Sequence, residues 1–438
     1  MTQAALQEEL QGEAALLALA APGRGAPWLA DLRARSLERF RGHGLPTVRD
    51  EAWKYTNLNP LKHDPWQAPV DGTNIRGVRD TELSADLRVV LVNGRLRPEL
   101  CRLPKVAGLK VDSLARLLAD APEELAALLP ADNDDLPLFD LNTALMADGY
   151  VLRLDEGAKI DALVEIVSLA ETNEVPLTYH PRHLIIAAPG SSVSVIERHV
   201  EGPHRYFTNG ATQMVLHAGA NVRHYRTVEE GADAVHTHTM LAHLAEDAHL
   251  ECFNLVLGGR LTRSEAHVAL TGRGARVALS GAYGLSGREH CDNTTVVNHI
   301  AGETSSRQVF KGVLDGKSRA VYQGRIAVRP DAQKIDGHQL SKAMLLSDEA
   351  EIDTKPELEI LADDVKCSHG ATAGELDKDA LFYMRARGIP EAEARALLIH
   401  AFLADAVEEV SHEAVRTALA NRIEEWLAKQ TSNSGAEA

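Results

Sequence analysis

Cys367 and His369 stand two residues apart in the stretch Leu361-Ala-Asp-Asp-Val-Lys-Cys-Ser-His-Gly-Ala-Thr372. On a strand, residues i and i+2 point to the same face. A thiol and an imidazole so placed form one soft pair, able to hold a metal ion or to support a thiolate nucleophile. Two ligands do not close an iron or zinc site. The missing ligands must come from elsewhere in the chain, from another chain, or from transient sulfide.

The other chemistry-bearing residues read more blandly. Of the 19 histidines, 15 lie between His180 and His369. His236-Thr-His238 places two on one strand face, with His243 nearby. Alternation with Thr and Ala favours a solvated sheet face over a metal site, and no acidic or cysteine residue completes a familiar zinc spacing. Cys252 and Cys291 fall within strand patterns and read as buried packing, and Cys101 reads as incidental. Gly316-Lys317-Ser318 mimics the end of a phosphate-binding loop. Lys311, however, stands where the first glycine belongs, and no helix follows. The chain has no G-x-S-x-G, H-E-x-x-H or G-x-G-x-x-G motif.

The elements that must position the pair are repetitive. Turn signals recur at Pro189-Gly190, Gly219-Ala220, Asp247-Ala248, Gly274-Ala275 and Gly302-Glu303. Counted at 190, 219, 247, 274 and 302, they are 29, 28, 27 and 28 residues apart. An alternating strand follows each, as in Ser192-Val-Ser-Val-Ile196 and Leu250-Glu-Cys-Phe253. Asp315-Gly316, Pro330-Asp331 and Ser347-Asp348 continue at about half the period. Units of this kind stack, because each alone cannot bury its apolar face. A parallel β-helix or an antiparallel sandwich fits, and the regular period favours the β-helix.

Helical patterns flank the repeats. The N-terminal side reads as helices from Gln3 to about Ala20 and from Trp28 to Arg41, closed by Gly42-His-Gly44. A hairpin follows at Val89–Val92 with Asn93-Gly94. A helix is expected over Val111–Leu129, then a loop at Asn133–Pro137 and a short helix from Phe139 to Gly149. After Thr372 come helices at Asp377–Arg387 and from Pro390, and a last one capped by Ser411. A disordered tail is expected over Thr431–Ala438. The organisation expected is a mixed helical region over residues 1–150, a β-helix core over 151–374 and a helical region over 375–438.

Composition narrows the class. The 438 residues carry a formal net charge of −17, which disfavours nucleic acid or an anionic membrane as the main partner. Four widely spaced cysteines, with no CxxC, suit a reducing compartment. The N-terminus lacks a basic segment before its apolar residues, and no apolar run reaches the ~18 residues of a membrane span. A soluble cytoplasmic protein is expected.

Three segments together carry a family likeness: Asp353-Thr-Lys-Pro-Glu-Leu-Glu-Ile360, Ala362-Asp-Asp-Val-Lys-Cys-Ser-His-Gly-Ala-Thr372 and Leu381-Phe-Tyr-Met-Arg-Ala-Arg-Gly-Ile389. The chain resembles the SufB/SufD family of iron–sulfur cluster scaffold proteins over nearly its whole length. Gly44-Leu-Pro46 with Glu51-Ala-Trp-Lys-Tyr-Thr56 is similar to the SufD branch of that family. The resemblance implies a right-handed parallel β-helix core between α-helical ends. It also implies a SufB–SufD heterodimer, with the SufC ATPase docked on the C-terminal helices and a possible homodimer when SufB is absent. It implies no enzymatic activity and no nucleotide bound by this chain. A transient iron–sulfur cluster, or iron, would form at the heterodimer interface. His369 is the implied candidate ligand and Cys367 its less certain companion. Two alternatives remain: a β-helix hydrolase or lyase acting on an acidic polysaccharide, and a purely structural partner that stabilises SufB and SufC and delivers iron without ligating the cluster.

Overall fold

The computed structural model describes residues 10–434, apart from 22, 24, 71–84, 130–134, 172–174, 201, 203 and 204. The first helix's expected start at Gln3, the loop residues Asn133 and Asp134 and the last four residues of the tail lie outside the described residues.

Two helices open the described chain, α1 (Gly12–Ala18) and α2 (Pro27–His43). Pro27 suits the first turn of α2, and Gly44 ends it at φ +78°. Leu29, Leu32, Leu37 and Phe40 form its buried stripe. Strands β1 (Leu87–Val92) and β2 (Arg95–Leu96) make the expected hairpin. Asn93 and Gly94 both take positive φ at its tip, as a two-residue turn demands.

The helix expected over Val111–Leu129 is shorter. Residues 109–113 form β3 (Leu109–Ser113), drawn into an antiparallel ladder with β4 (Tyr150–Leu154). Helix α3 (Leu114–Asp120) starts only where the Ser113 hydroxyl accepts the Arg116 N–H, and Pro122 opens a separate 3₁₀ turn. The next helix, α4 (Pro137–Leu145), stops before Gly149 rather than at it. Gly149 serves close approach instead, since a Cβ there would lie 1.9 Å from the Arg182 carbonyl oxygen.

Strands β5 (Val164–Leu169), β6 (Leu177–Tyr179) and β7 (Arg182–Ala187) begin the solenoid. They are followed by β8 (Ser192–Val200), β9 (Tyr206–Leu216), β10 (Asn221–Glu229), β11 (Val235–Leu244), β12 (His249–Val256) and β13 (Leu261–Leu270). Next come β14 (Arg276–Leu285), β15 (His290–His299), β16 (Ser305–Leu314) and β17 (Arg319–Val328). The last are β18 (Ile335–Leu345), β19 (Glu351–Ile360) and β20 (Val365–Glu375). From β8 onward the strands alternate between two sheets, and from β9 onward each pairs in parallel with the strand two before it. The molecule is therefore mainly β, a parallel β-solenoid of about eight turns with helices at both termini.

The register reproduces the sequence period. Val193, Val222, Leu250, Val277, Ser306, Gly337 and Cys367 stand in one column, at steps of 29, 28, 27, 29, 31 and 30 residues. Turns stack as well: the Gly190 N–H donates to Ala218 O, Gly219 to Glu246 O and Asp247 to Arg273 O. Gly190, Gly219 and Gly274 take positive φ there, and Asp247 and Glu303 adopt the same conformation in the same row. Between the sheets lies an apolar interior that includes Val193, Val222, Leu250 and Val277 from one side and Ala242, Val268 and Val297 from the other. Each such side chain contributes about 1.5–3 kcal/mol on burial.

Helices α5 (Lys378–Ala386), α6 (Glu391–Val407) and α7 (Glu413–Ser434) follow β20. Asp377 caps α5 by accepting the Asp379 and Ala380 N–H groups. Leu403, Val407, Leu419, Ile423 and Trp426 bury against Tyr225, Phe253, Ala282 and Val313 on the outer face of the sheet that ends in β20. Gly284 leaves room for Trp426, whose ring would lie 2.8 Å from an added Cβ. Ser411 is not the cap of α7. His412 immediately precedes the helix and its Nδ1 accepts the Val415 N–H, whereas the Ser411 N–H donates to Glu251. Residues 431–434, expected in the tail, belong instead to the end of α7. Among the described residues no helix is long and apolar enough to cross a membrane.

Candidate functional site

Cys367 and His369 lie on β20, the last strand of its sheet. On one side β20 pairs with β18, setting Cys367 beside Gly337 and His369 beside Gln339. No described strand pairs with its other edge. Cys367 packs onto a small apolar group that closes this end of the interior, Ile326, Val328, Ala332, Ile335 and Ala362. Its Sγ would lie 3.3 Å from a Cβ on Gly337, so the glycine makes room for the thiol. Burial pushes the thiol pKa up, which keeps it protonated when no metal is bound. His369 shares the face of Cys367 by alternation, sits in register with the buried Gln339 and is exposed, because no further coil covers it. On the opposite face Ser368 meets His338, whose Nδ1 lies 2.6 Å from Oγ. His338 Nε2 in turn lies 2.6 Å from Asp336. The sequence reading did not single out His338; the 30-residue step from His338 to Ser368 is the signal that finds it.

The pair that the sequence reading assigned to a solvated face is buried. His236 and His238 are 0% and 3% exposed and point into the solenoid interior. Acidic residues line the same interior: Glu230, six residues before His236 across the turn, and Glu197, from the preceding coil. Glu197 Oε1 lies 3.0 Å from His199 Nε2, Glu197 Oε2 lies 3.4 Å from His224 Nε2, and Glu230 lies 3.2 Å from His236 Nδ1. Register explains the omission: Glu197 stands beside Arg226, 29 residues on, so the set is contiguous across coils and scattered in sequence. Cys291 is buried as expected and Cys252 is half-buried, and burial raises the thiol pKa of both.

The family model described as "SUF system FeS cluster assembly, SufBD core domain" matches residues 168–402, and "SufBD protein N-terminal region" matches residues 23–166. The chain belongs to the SufB/SufD family of iron–sulfur cluster assembly proteins. It is 33% identical to the iron–sulfur cluster assembly protein SufD of Escherichia coli, covering 89% of this chain and 91% of that protein. An iron–sulfur cluster assembly SufBD family protein of Synechocystis is 30% identical over 84% of each chain. The SufD of Bacillus subtilis is 26% identical over 91% of this chain and 93% of its own.

Within this SufB/SufD chain, the Glu51–Thr56 segment lies across the sheet that ends in β19. Trp53 is buried, with the Arg263 guanidinium 4.0 Å over its ring. The Thr56 hydroxyl donates to Asp292, which also receives Arg263. Gln323 Nε2 donates to the Ala52 carbonyl at 3.0 Å, and Lys355 pairs with Glu51 at 2.6 Å. Residues from four successive strands of that sheet thus hold one segment. Tyr55 is half-buried.

The C-terminal helices offer a different surface. Helix α5 buries no residue, and Phe382 and Tyr383 are 72% and 59% exposed, with Leu397 of α6 at 47%. Three large apolar side chains are thus left in solvent on adjacent helices.

Proposed function

We propose that this chain is the non-catalytic, SufD-type member of a cytoplasmic SufBCD-type iron–sulfur assembly complex. In this reading the open edge of β20 meets a SufB-type partner. His369 supplies one ligand to nascent iron or cluster at the junction, and Cys367 backs it as a companion of less direct role. The assembled cluster is the cargo of the complex rather than a resident cofactor of this chain. The SufC-type ATPase docks on the exposed face of α5 and α6, and its closure moves the end of the solenoid. The chain itself binds no nucleotide.

The observation that carries this reading is the position of His369: exposed, on the terminal strand, facing the open mouth of the solenoid in a chain of this family. One imidazole and one thiol cannot complete an iron site, but two chains meeting edge to edge can pool ligands. A labile shared site is also one that movement of either chain can open.

Cluster formation on a reconstituted three-component complex tests the ligand role. His369→Ala is expected to slow assembly at least about tenfold, as loss of a ligand does. An unchanged rate would sink that role. A chain truncated from Ala380 that still bound the ATPase would sink the docking role.

A further inference from the structure

Far from the open end, the solenoid interior holds a second constellation. His199 on β8, Glu230 just after β10 and His236 on β11 each offer one ligand atom, all within 4.8 Å of one another, and all three residues are buried. His236 Nδ1 lies 3.2 Å from both carboxylate oxygens of Glu230. The His199 and His236 rings meet edge to face at 4.5 Å between centroids. His199 Nε2 lies 3.0 Å from Glu197 Oε1.

Two observations mark this cluster as incomplete. Glu197 Oε2 and Arg226 Nε are buried, 3.9 Å apart, and neither has a hydrogen-bond partner. Two buried carboxylates, Glu197 and Glu230, also share one guanidinium, Arg226, the rest of their charged surroundings being the imidazoles of His183, His199, His224 and His236.

We propose that His199, Glu230 and His236 form a binding site for one divalent first-row transition cation inside the solenoid. Two imidazole nitrogens and one carboxylate oxygen suit iron(II), zinc or cobalt(II) and exclude a preference for calcium or magnesium. In the arrangement seen, Arg226 Nη2 donates to His236 Nε2 at 2.9 Å, so the imidazole proton sits on Nδ1 and faces Glu230. A cation at Nδ1 moves that proton to Nε2, and Arg226 then withdraws from the ring. Closing its 3.9 Å gap to Glu197 Oε2 gives both orphaned atoms a partner. With all three ligands buried, the ion enters as the chain folds. The site lies among coils that β19 and β20 do not touch, so it is separate from the His369 junction and does not depend on the function proposed for that junction.

The full chain is expressed in medium supplemented with iron and zinc, and its metal content is measured. A second sample is refolded with cobalt(II) and followed by its visible absorption. About one ion per chain is expected, with the cobalt spectrum of a low-coordinate nitrogen–oxygen site. Glu230→Gln keeps the shape of the side chain and an acceptor for His236, and is expected to lose the ion. His369→Ala is expected to keep it. Fewer than about 0.1 ion per chain in both wild-type samples overturns the proposal. So does full retention of the ion by folded Glu230→Gln. If that variant does not fold, the wild-type metal content and cobalt spectrum decide alone.

Discussion

The two ends of the solenoid are finished differently. At the first end β1 takes the antiparallel β2, and β4 takes the antiparallel β3, so strands of opposite sense stop both parallel ladders. Helices α2 and α3 pack on the outer face of the first coils there, with Leu29, Leu32, Leu114 and Leu117 against Val151 and Leu184. At the other end β19 and β20 stand as the last strands of their sheets. Solenoids need terminal caps for solubility, so a missing cap is a place for another chain. The two open edges differ as well. Strand β19 carries Glu351, Asp353, Lys355, Pro356, Glu357 and Glu359, the charges and proline that deter edge pairing. Strand β20 has no Asp, Glu, Lys, Arg or Pro between Lys366 and Glu375. One edge is guarded and the other is left available, and the available one carries Cys367 and His369.

The closed side should answer to single changes most strongly. Arg263 is buried against Asp292, with Trp53 stacked on it. Arg263→Ala leaves Asp292 charged and buried with only the Thr56 hydroxyl and its own coil for support. A loss of about 3–5 kcal/mol is expected, read from denaturant unfolding. A loss below about 1 kcal/mol would mean that the Glu51–Thr56 segment does not seal this face.

Acid comes next, and it also acts on the closed interior. Burial lowers His180 to about 3 and His299 to about 4, from 6.5 in an unfolded chain. Between pH 6.5 and about 4 the unfolded state binds protons that the folded state refuses, so stability falls as pH falls through that window. Each of the two costs about 2 kcal/mol by pH 5. Urea midpoints at pH 7 and pH 5 measure this, and replacing His180 or His299 with Gln should flatten the dependence. A flat profile in the wild type would contradict the buried neutral assignment.

Much of this contrast was legible in the sequence, for a physical reason. A solenoid repeats its turns, and turns at positive φ select Gly or Asn/Asp types, so Gly190, Gly219, Asp247 and Gly274 display the coil length directly. The Cys367–His369 pairing rests on strand alternation, which is also local. Proximity between coils is not local. Glu197 reaches His224 only through register, one coil on, and Glu230 reaches His236 across the turn between β10 and β11, which is why a buried charged cluster read as a solvated face. Residues 111–113 carry no pattern that forbids helix. They became strand because β4 offered a ladder, a case of tertiary pairing overriding propensity. At α7 Ser411 is the better capping type, but its N–H is held by Glu251 and the helix starts one residue later.

The smallest effect on the isolated chain is also the sharpest test of the open edge. Gly374 lies near the end of β20, exposed, and a Cβ there would meet nothing within 4 Å. Gly374→Arg should therefore change the stability of the isolated chain by no more than about 0.5 kcal/mol. It would, however, place on β20 the kind of charge that β19 already carries, and a strand from another chain would have to desolvate it. Co-elution with a SufB-type partner is expected to fall sharply while binding of the SufC-type ATPase to α5 and α6 persists. An equivalent change on the guarded edge, Glu357→Arg, is expected to leave partner binding intact. If Gly374→Arg binds the partner as well as the wild type does, β20 is not the interface, and its lack of guarding residues needs another cause.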